Sequence, residues 1–534
     1  MSLWIKQPRR RLLLVVAFLI IIILFFFLHT TELITSTSLN NPKQDQQQQQ
    51  HKPSTKEPLE KERKIIPVDF PDPFKFHTPT KGEKYITYLP HSGFHNQRIE
   101  LENALLLAYY LNRTLLLPDV FLGNPAMPWL RFDKMYERIL LQTKRDLDHC
   151  PTIEDGAPYP MECLNYHRWT QVPWTFFYDI KPLLEKVKIV LRPDLSVEWI
   201  QQKLNVQKKD IQFMKDNSPY EFRVYDHMES KTPLSKFIHR YDLSTLEAIK
   251  KPVLHFGSVF GTHRILAQQP DHLNWLKTIK THLIFNNPAL VDPALKAVQQ
   301  LGGIGQYVGL HLRVGDGIFK LRSTINIDNI YHQLVDQFTD LTLAQLQQLD
   351  PQHDDDQKER TDYEVKNLRK VSDISSGAPL TLNHPSQDMS QVTSRLPPAT
   401  LASHLKCRQL GNNNKEFSGI DTTRFSKTVI YIATDAPNPK KNPLFKKIYD
   451  TFPCVFDLSD FGFVFEELDQ IYVEHEKVKL DSYLIPMLDA IISAHGHSFF
   501  GTNDSTFTSY IERQLHPVYT QKDVILRGPP AIYK

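Results

Sequence analysis

The sequence predicts an α/β protein made of two facing, Rossmann-like halves behind one membrane-spanning segment. Three observations carry that expectation. Short apolar runs bounded by Gly, Pro and Asn alternate with helical patterns on both sides of the chain's middle, the signature of doubly wound sheets. An unbroken apolar stretch, Leu12 to Leu28, follows Lys6, Arg9, Arg10 and Arg11. The run Tyr307 to Phe319, Y-V-G-L-H-L-R-V-G-D-G-I-F, ends a buried strand in a charged, glycine-bearing loop.

Composition removes several function classes. The chain has 534 residues, room for two or three domains, and a net charge of +3 with 23% charged residues. It has no aromatic-interleaved basic stripe and no zinc-finger spacing, so nucleic acid is not an expected partner. The 22 histidines include no H-E-x-x-H pair. Cys150, Cys163, Cys407 and Cys454 allow three pairings, and none sits in a C-x-x-C unit.

Residues 12–28 rise through roughly 26 Å as a helix, enough for a thin early-secretory bilayer. The basic flank places tail 1–11 in the cytosol and everything after the anchor in the lumen. That makes a type II membrane protein of the Golgi or endoplasmic reticulum, where cysteines form disulfides; Cys150 with Cys163 closes a short local loop. Asn112-Arg113-Thr114 and Asn503-Asp504-Ser505 are the N-glycan acceptor triplets. From about Thr30 to Asp72 the chain is polar, with a glutamine run at Gln46 to Gln50, and reads as a flexible stem assigned to 29–80.

The first half, 81–295, opens with strand Tyr85 to Leu89, the loop His91 to Arg98, a helix from about Asn96 to Leu111 and strand Leu115 to Leu117. That βαβ opening aims a helix N-terminus, with its free N–H groups, above the sheet. A plain helix start capped by Asn96 is the simpler reading of the same residues. Gly123 to Lys181, rich in Trp, Tyr and Pro, reads as an irregular lobe holding both early cysteines. Phe222 to Tyr225 and Pro252 to Phe256 are strand candidates; Asp271 to Phe285 and Pro293 to Leu301 read as helices.

The second half, 296–534, holds the central strand and then a helix from Ile325 to Gln348. A charged, poorly periodic insertion about 350–400 interrupts it. Strand Lys427 to Ala433 ends in Thr434-Asp435-Ala436-Pro437; helix Pro443 to Tyr449, strand Val455 to Asp457, helix Leu480 to Ala494 and strand Ser498 to Gly501 follow. Asn503 to Thr508 opens the last clear helix with Ser505 and Thr506, an anion-friendly start that ordinary capping also explains.

Three edges are therefore ready for a ligand: the loops at Gly93, Arg313 and Ser505. Arg313 offers a fixed, permanently charged fork for phosphate or carboxylate; an Arg313–Asp316 ion pair closing a turn is the plainer alternative. Two halves with a phosphate-binding edge suit a nucleotide-sugar transferase, and an arginine with helix N-termini can carry a leaving diphosphate in place of a metal. The D-x-D pair Asp146-Leu147-Asp148 lies in a basic, irregular segment away from any strand end, so no metal is expected.

Gly93 to Pro118 (G-F-H-N-Q-R-I-E-L-E-N-A-L-L-L-A-Y-Y-L-N-R-T-L-L-L-P), His311 to Asp316 (H-L-R-V-G-D), Tyr431 to Asp435 (Y-I-A-T-D) and Phe499 to Thr508 (F-F-G-T-N-D-S-T-F-T) together resemble, in order, the motifs of the GDP-fucose protein O-fucosyltransferases. The resemblance covers roughly 85 to 515. It implies a GT-B fold, GDP-fucose as donor, inversion at the anomeric carbon, no metal and no separate cofactor. Arg313 would then hold the β-phosphate, with Asp316 orienting it. His311 and Asp435 would lie near guanine or ribose. Ser505, Thr506 and Phe507 would meet the diphosphate and nucleotide, and Gly93, Phe94 and Asn96 would form the facing loop.

Two departures bear on mechanism and acceptor. Members that use a carboxylate base carry it before the Gly-Phe of the first loop, where this chain has Ser92 between His91 and His95. His95 is the expected proton acceptor. The insertion is unusual for the family, and relatives that act on glycans leave both a protein and a glycan acceptor open. Alternatives are a catalytically inactive nucleotide- or glycan-binding member, or a transferase using another nucleotide sugar.

Overall fold

The computed structural model describes residues 65–123, 128–153, 157, 158, 160–339, 400–408 and 427–528. The anchor 12–28, most of the stem and the insertion lie outside the described residues. Among the described residues no helix is long and apolar enough to cross a membrane.

The chain joins the fold earlier than Lys84. Strand β1 (Ile66–Pro67) pairs in parallel with Ile471–Tyr472, and the Val68 N–H reaches the Tyr472 carbonyl. Strands β2 (Tyr85–Thr87) and β3 (Thr114–Pro118) flank the helix Phe94–Tyr110. Next come β4 (Val120–Gly123) and β5 (Trp169–Val172), an antiparallel pair, then β6 (Ile189–Arg192) and β7 (Ile211–Met214). Strands β8 (Phe222–Tyr225) and β9 (His239–Asp242) pair with each other, and β10 (Val253–Phe256) closes the first half. The second half holds β11 (Val308–Leu312), β12 (Val429–Thr434), β13 (Cys454–Asp457), the pair β14 (Ile471–Val473) and β15 (Val478–Lys479), and β16 (Ser498–Gly501).

Two parallel sheets result, ordered β6-β3-β2-β10-β7 and β13-β12-β11-β16. Parallel strands are buried on both faces, so β3 (T-L-L-L-P) and β11 (V-G-L-H-L) are apolar runs buried at every residue. Gly309 is required: a Cβ there would strike the Ser493 carbonyl of the helix Asp481–Ala494, which lies on β11. Across each sheet the chain order falls to its earliest strand and then jumps, between β2 and β10 in the first and between β11 and β16 in the second. Crevices beyond the carboxyl ends of strands at such reversals are where ligands of open α/β sheets bind.

Several elements differ from the sequence reading. β6 and β7 are not among the strands that the sequence predicts. Phe222–Tyr225 is a strand, but it pairs with β9 outside the main sheet. The helix expected from Pro293 begins at Pro288, with Asn287 capping it and Pro293 inside. The helix expected over 325–348 runs Ser323–Phe338 and stops at an extended Thr339; residues beyond 339 fall outside the described part. Both disulfides form, Cys150–Cys163 and Cys407–Cys454.

Candidate functional site

The two reversals of strand order carry the loops that stood out in the sequence. Beyond β11, the Arg313 backbone N–H donates to Thr502 Oγ1 at 2.9 Å, joining the loop after β11 to the loop after β16. Asp435, at the end of β12, spends its carboxylate on backbone: it accepts from the Val314 N–H at 2.8 Å and from the Gly315 N–H at 3.1 Å. It therefore shapes the arginine's loop. A side chain on Gly315 would collide with that carboxylate.

The Arg313 side chain is 30% exposed and pairs through Nη2 with both Asp316 oxygens at 3.1 Å. Its Nε is buried, makes no hydrogen bond and lies 3.9 Å from Asp435. The ion pair of the plainer reading thus exists, yet the fork keeps a donor in reserve. Phe319 lies under the guanidinium, 4.7 Å from its ring centre.

Ser505 caps the helix Thr506–Tyr510, its hydroxyl accepting from the Thr508 N–H at 3.3 Å; Asp504, at φ 62°, does not cap. His311 is buried, with Nδ1 2.7 Å from Thr508 Oγ1. Phe507 lies between two imidazoles: His95 stacks on it at 4.2 Å and His311 leans on it at 4.4 Å. Burial first, and Arg313 after it, push His311 down to about 3. Burial, then Arg98, His311 and Arg313, hold His95 well below the usual imidazole range. Both rings are neutral at ordinary pH, and neither ring nitrogen of His95 has a hydrogen-bond partner.

The loop after β2 meets this group directly. Gly93 is the N-cap of the helix Phe94–Tyr110, so Asn96 is not. Asn96 Oδ1 instead accepts from Thr506 Oγ1 at 3.2 Å. Phe94 points into an aromatic cluster, 4.9 Å from Phe177 and 5.5 Å from Trp174, and so anchors the loop. Gly93 faces open space. One turn further on, Arg98 and Glu102 form a buried pair that Lys280 joins at 2.6 Å and Gln514 at 2.9 Å, with Arg98 4.2 Å over Tyr510.

A polar cleft of about 370 Å³ opens beside the group; Thr502, Asn503, Asp504, Ser505, Arg513 and Arg527 are among its walls. Asn503, of the acceptor triplet, is exposed at this cleft, and Asn112 is exposed in the turn after the first helix. Asp146 and Asp148 are exposed in a turn. Among the described residues the one grouping of metal-ligand types is His149 with Cys150 and Cys163, whose sulfurs are spent in a disulfide.

The structure thus brings Gly93, His95 and Asn96 together with Ser505, Thr506 and Phe507, and sets Arg313 and Asp316 on the adjoining loop, with Asp435 against that loop from the end of β12. Sequence reading missed Thr502, Thr508 and the Arg98–Glu102–Lys280–Gln514 network. Only the i, i+4 spacing of Arg98 and Glu102 was a signal for the last.

Comparison with known proteins gives one family. A profile described as GDP-fucose protein O-fucosyltransferase matches residues 159–516, a stretch that begins after the first loop. O-fucosyltransferase 30 of Arabidopsis thaliana is 56% identical over 39 residues, which span 7% of this chain and 8% of that relative. Among solved structures, POFUT1 in complex with GDP-fucose aligns at 10% identity and TM-score 0.34, covering 83% of this chain and 97% of that one. POFUT1 in complex with GDP aligns at 11% identity and TM-score 0.35, covering 83% and 98%.

Proposed function

This chain belongs to the GDP-fucose protein O-fucosyltransferase family, and from that premise we propose that it transfers fucose from GDP-fucose to a hydroxyl of a protein or glycan. The observation that carries the reading is Arg313, standing at a sheet's order reversal with a buried, uncommitted Nε beside the Ser505 helix start. In this reading the two halves, 81–295 and 296–534, are the facing domains of a GT-B enzyme. The diphosphate lies against Arg313 and the N–H groups at Ser505, Thr506 and Phe507. As the glycosidic bond breaks, negative charge grows on the β-phosphate, and fixed donors stabilise it more than they stabilise bound substrate.

Asp316 pairs with the guanidinium while Asp435 fixes the backbone of its loop, and His311 supports Phe507 from below the nucleotide. The acceptor approaches from the Gly93 side, so attack is opposite the leaving group and inverts the anomeric carbon. No metal is needed, because arginine and helix-start donors meet the charge. His95, neutral and unpartnered, offers a hydrogen bond to the sugar or the incoming hydroxyl; its depressed basicity makes it a weak final home for a proton. Residues 12–28 anchor the protein with this part in the lumen of the Golgi or endoplasmic reticulum.

Ser92, in the place of a carboxylate base, favours one rival: a member that binds GDP or glycan without turnover. The full-length protein, challenged with GDP, UDP and GDP-sugars, separates them. The proposal expects thermal protection by GDP over UDP and release of GDP from GDP-fucose that EDTA leaves unchanged. Preference for UDP, or loss of turnover in EDTA, would sink it; GDP protection without turnover selects the rival.

A further inference from the structure

Resting on that reading, we infer that Ser92, His91 and Glu100 form a proton relay that takes the hydrogen of the attacking hydroxyl. His91 and Ser92 lie in the loop after β2 and Glu100 in the helix that follows it, and Ser258 of the loop after β10 meets them. Ser92 Oγ is 2.8 Å from His91 Nδ1. The other ring nitrogen, Nε2, is 3.0 Å from Glu100 Oε1 and 2.7 Å from Ser258 Oγ. Glu100 Oε2 also accepts from the His91 backbone N–H at 3.0 Å, which fixes the carboxylate against the ring.

The network assigns the tautomer. Ser258 donates to Glu100 Oε1 at 3.3 Å and accepts from the Phe260 N–H at 3.1 Å. A carboxylate accepts only, so Nε2 carries the ring hydrogen. Nδ1 then presents its lone pair to Ser92, whose hydrogen points at it. This is the hydroxyl–imidazole–carboxylate order that polarises a serine.

Burial and backbone agree with a working site. His91 and Glu100 are sealed from water, whereas Ser92 is half-exposed beside open Gly93. Ser92 holds φ at 65°, a left-handed conformation costly for a residue with a side chain. Gln97 Nε2 fixes it by donating to the Ser92 carbonyl at 3.0 Å. Four residues on, Asn96 touches Thr506, so the loop that carries the serine meets the loop after β16.

The step balances. The acceptor oxygen bonds to the fucose anomeric carbon while that carbon's bond to the β-phosphate oxygen breaks, its electron pair leaving on the diphosphate. The acceptor's proton passes to Ser92 Oγ as the serine's own hydrogen moves to His91 Nδ1. The imidazolium so formed faces Glu100. Ser92 is the group that meets the acceptor; His91 and Glu100 act through it.

The test is single-turnover release of GDP from GDP-fucose by the full-length protein, with water as the acceptor. Ser92→Ala and Glu100→Gln should each lower the rate about 10²- to 10³-fold, the scale of positioned acid–base catalysis, with donor KM and thermal protection by GDP unchanged. Ser92→Gly removes the same hydroxyl while relieving the backbone, and serves if Ser92→Ala misfolds. The wild-type rate should fall along a curve as deuterium oxide is titrated in, because two protons move; the curve should become linear without the serine. Rates within threefold of wild type for both serine variants would overturn the relay alone. A wild type that binds GDP and never releases it from GDP-fucose would remove the parent reading and the relay together.

Discussion

Thr506 Oγ1 donates to Asn96 Oδ1 at 3.2 Å, a hydrogen bond between residues 410 positions apart that joins the crevice loops of the two sheets. The His95–Phe507 stack lies next to it. Asn96→Ala should cost about 1 kcal/mol of stability, the net worth of an ordinary hydrogen bond. Its larger effect should be a raised acceptor or donor KM, since the loop loses its register on the Ser505 side. Urea unfolding beside steady-state kinetics checks both, and an unchanged KM would mean the contact does not position the site.

Arg313→Ala should leave unfolding nearly unaltered, because the side chain is partly exposed and packs on Phe319 at the rim. GDP release from GDP-fucose should fall by the equivalent of about 2–4 kcal/mol, as expected when a fixed donor to a developing charge is removed. Arg313→Lys should recover little, for an ammonium lacks the planar fork that Asp316 holds. Near-normal turnover by either variant would end the phosphate role.

Glu102→Ala should be strongly destabilising. It leaves Arg98 and Lys280 buried with no opposing carboxylate, a loss of about 3–5 kcal/mol. A drop under 1 kcal/mol in chemical unfolding would show that water reaches the network.

The same carboxylate predicts an acid limb. Burial alone would raise its pKa, but Arg98 and Lys280 outweigh that, and the folded value lies below the ordinary 4.5. A depressed folded pKa stabilises above the unfolded value, so its contribution is complete above pH 4.5 and fades as pH falls towards the folded value. Thermal unfolding between pH 7 and 3 should show that decline, and Glu102→Gln should flatten it.

Reduction should weaken the fold through both cross-links. Cys407–Cys454 ties a segment after the insertion to the start of β13, and Cys150–Cys163 closes the lobe. Chain-entropy arguments give about 4 kcal/mol for the longer loop and about 3 kcal/mol for the shorter. Urea midpoints with and without a reductant, and in Cys407→Ser and Cys150→Ser, apportion them.

The sequence by itself determined the local elements and the places where chemistry gathers. Apolar runs such as Leu115 to Leu117 and Tyr307 to Leu312 are legible because parallel strands bury both faces. Gly93, Arg313 and Ser505 stand out because glycine, arginine and serine break those runs at strand ends. Ile189–Arg192 is a short continuous apolar run, which periodicity does not tell apart from a buried helix segment. Side-chain allegiance was decided only by tertiary structure: Asp435 turns to the Val314 and Gly315 backbone, Asn96 to Thr506 and His311 to Thr508. Hydrogen-bond partners depend on which loops two sheets bring within about 3 Å of each other. That distance is set by strand order and helix packing across hundreds of residues, and no local spacing along the chain encodes it.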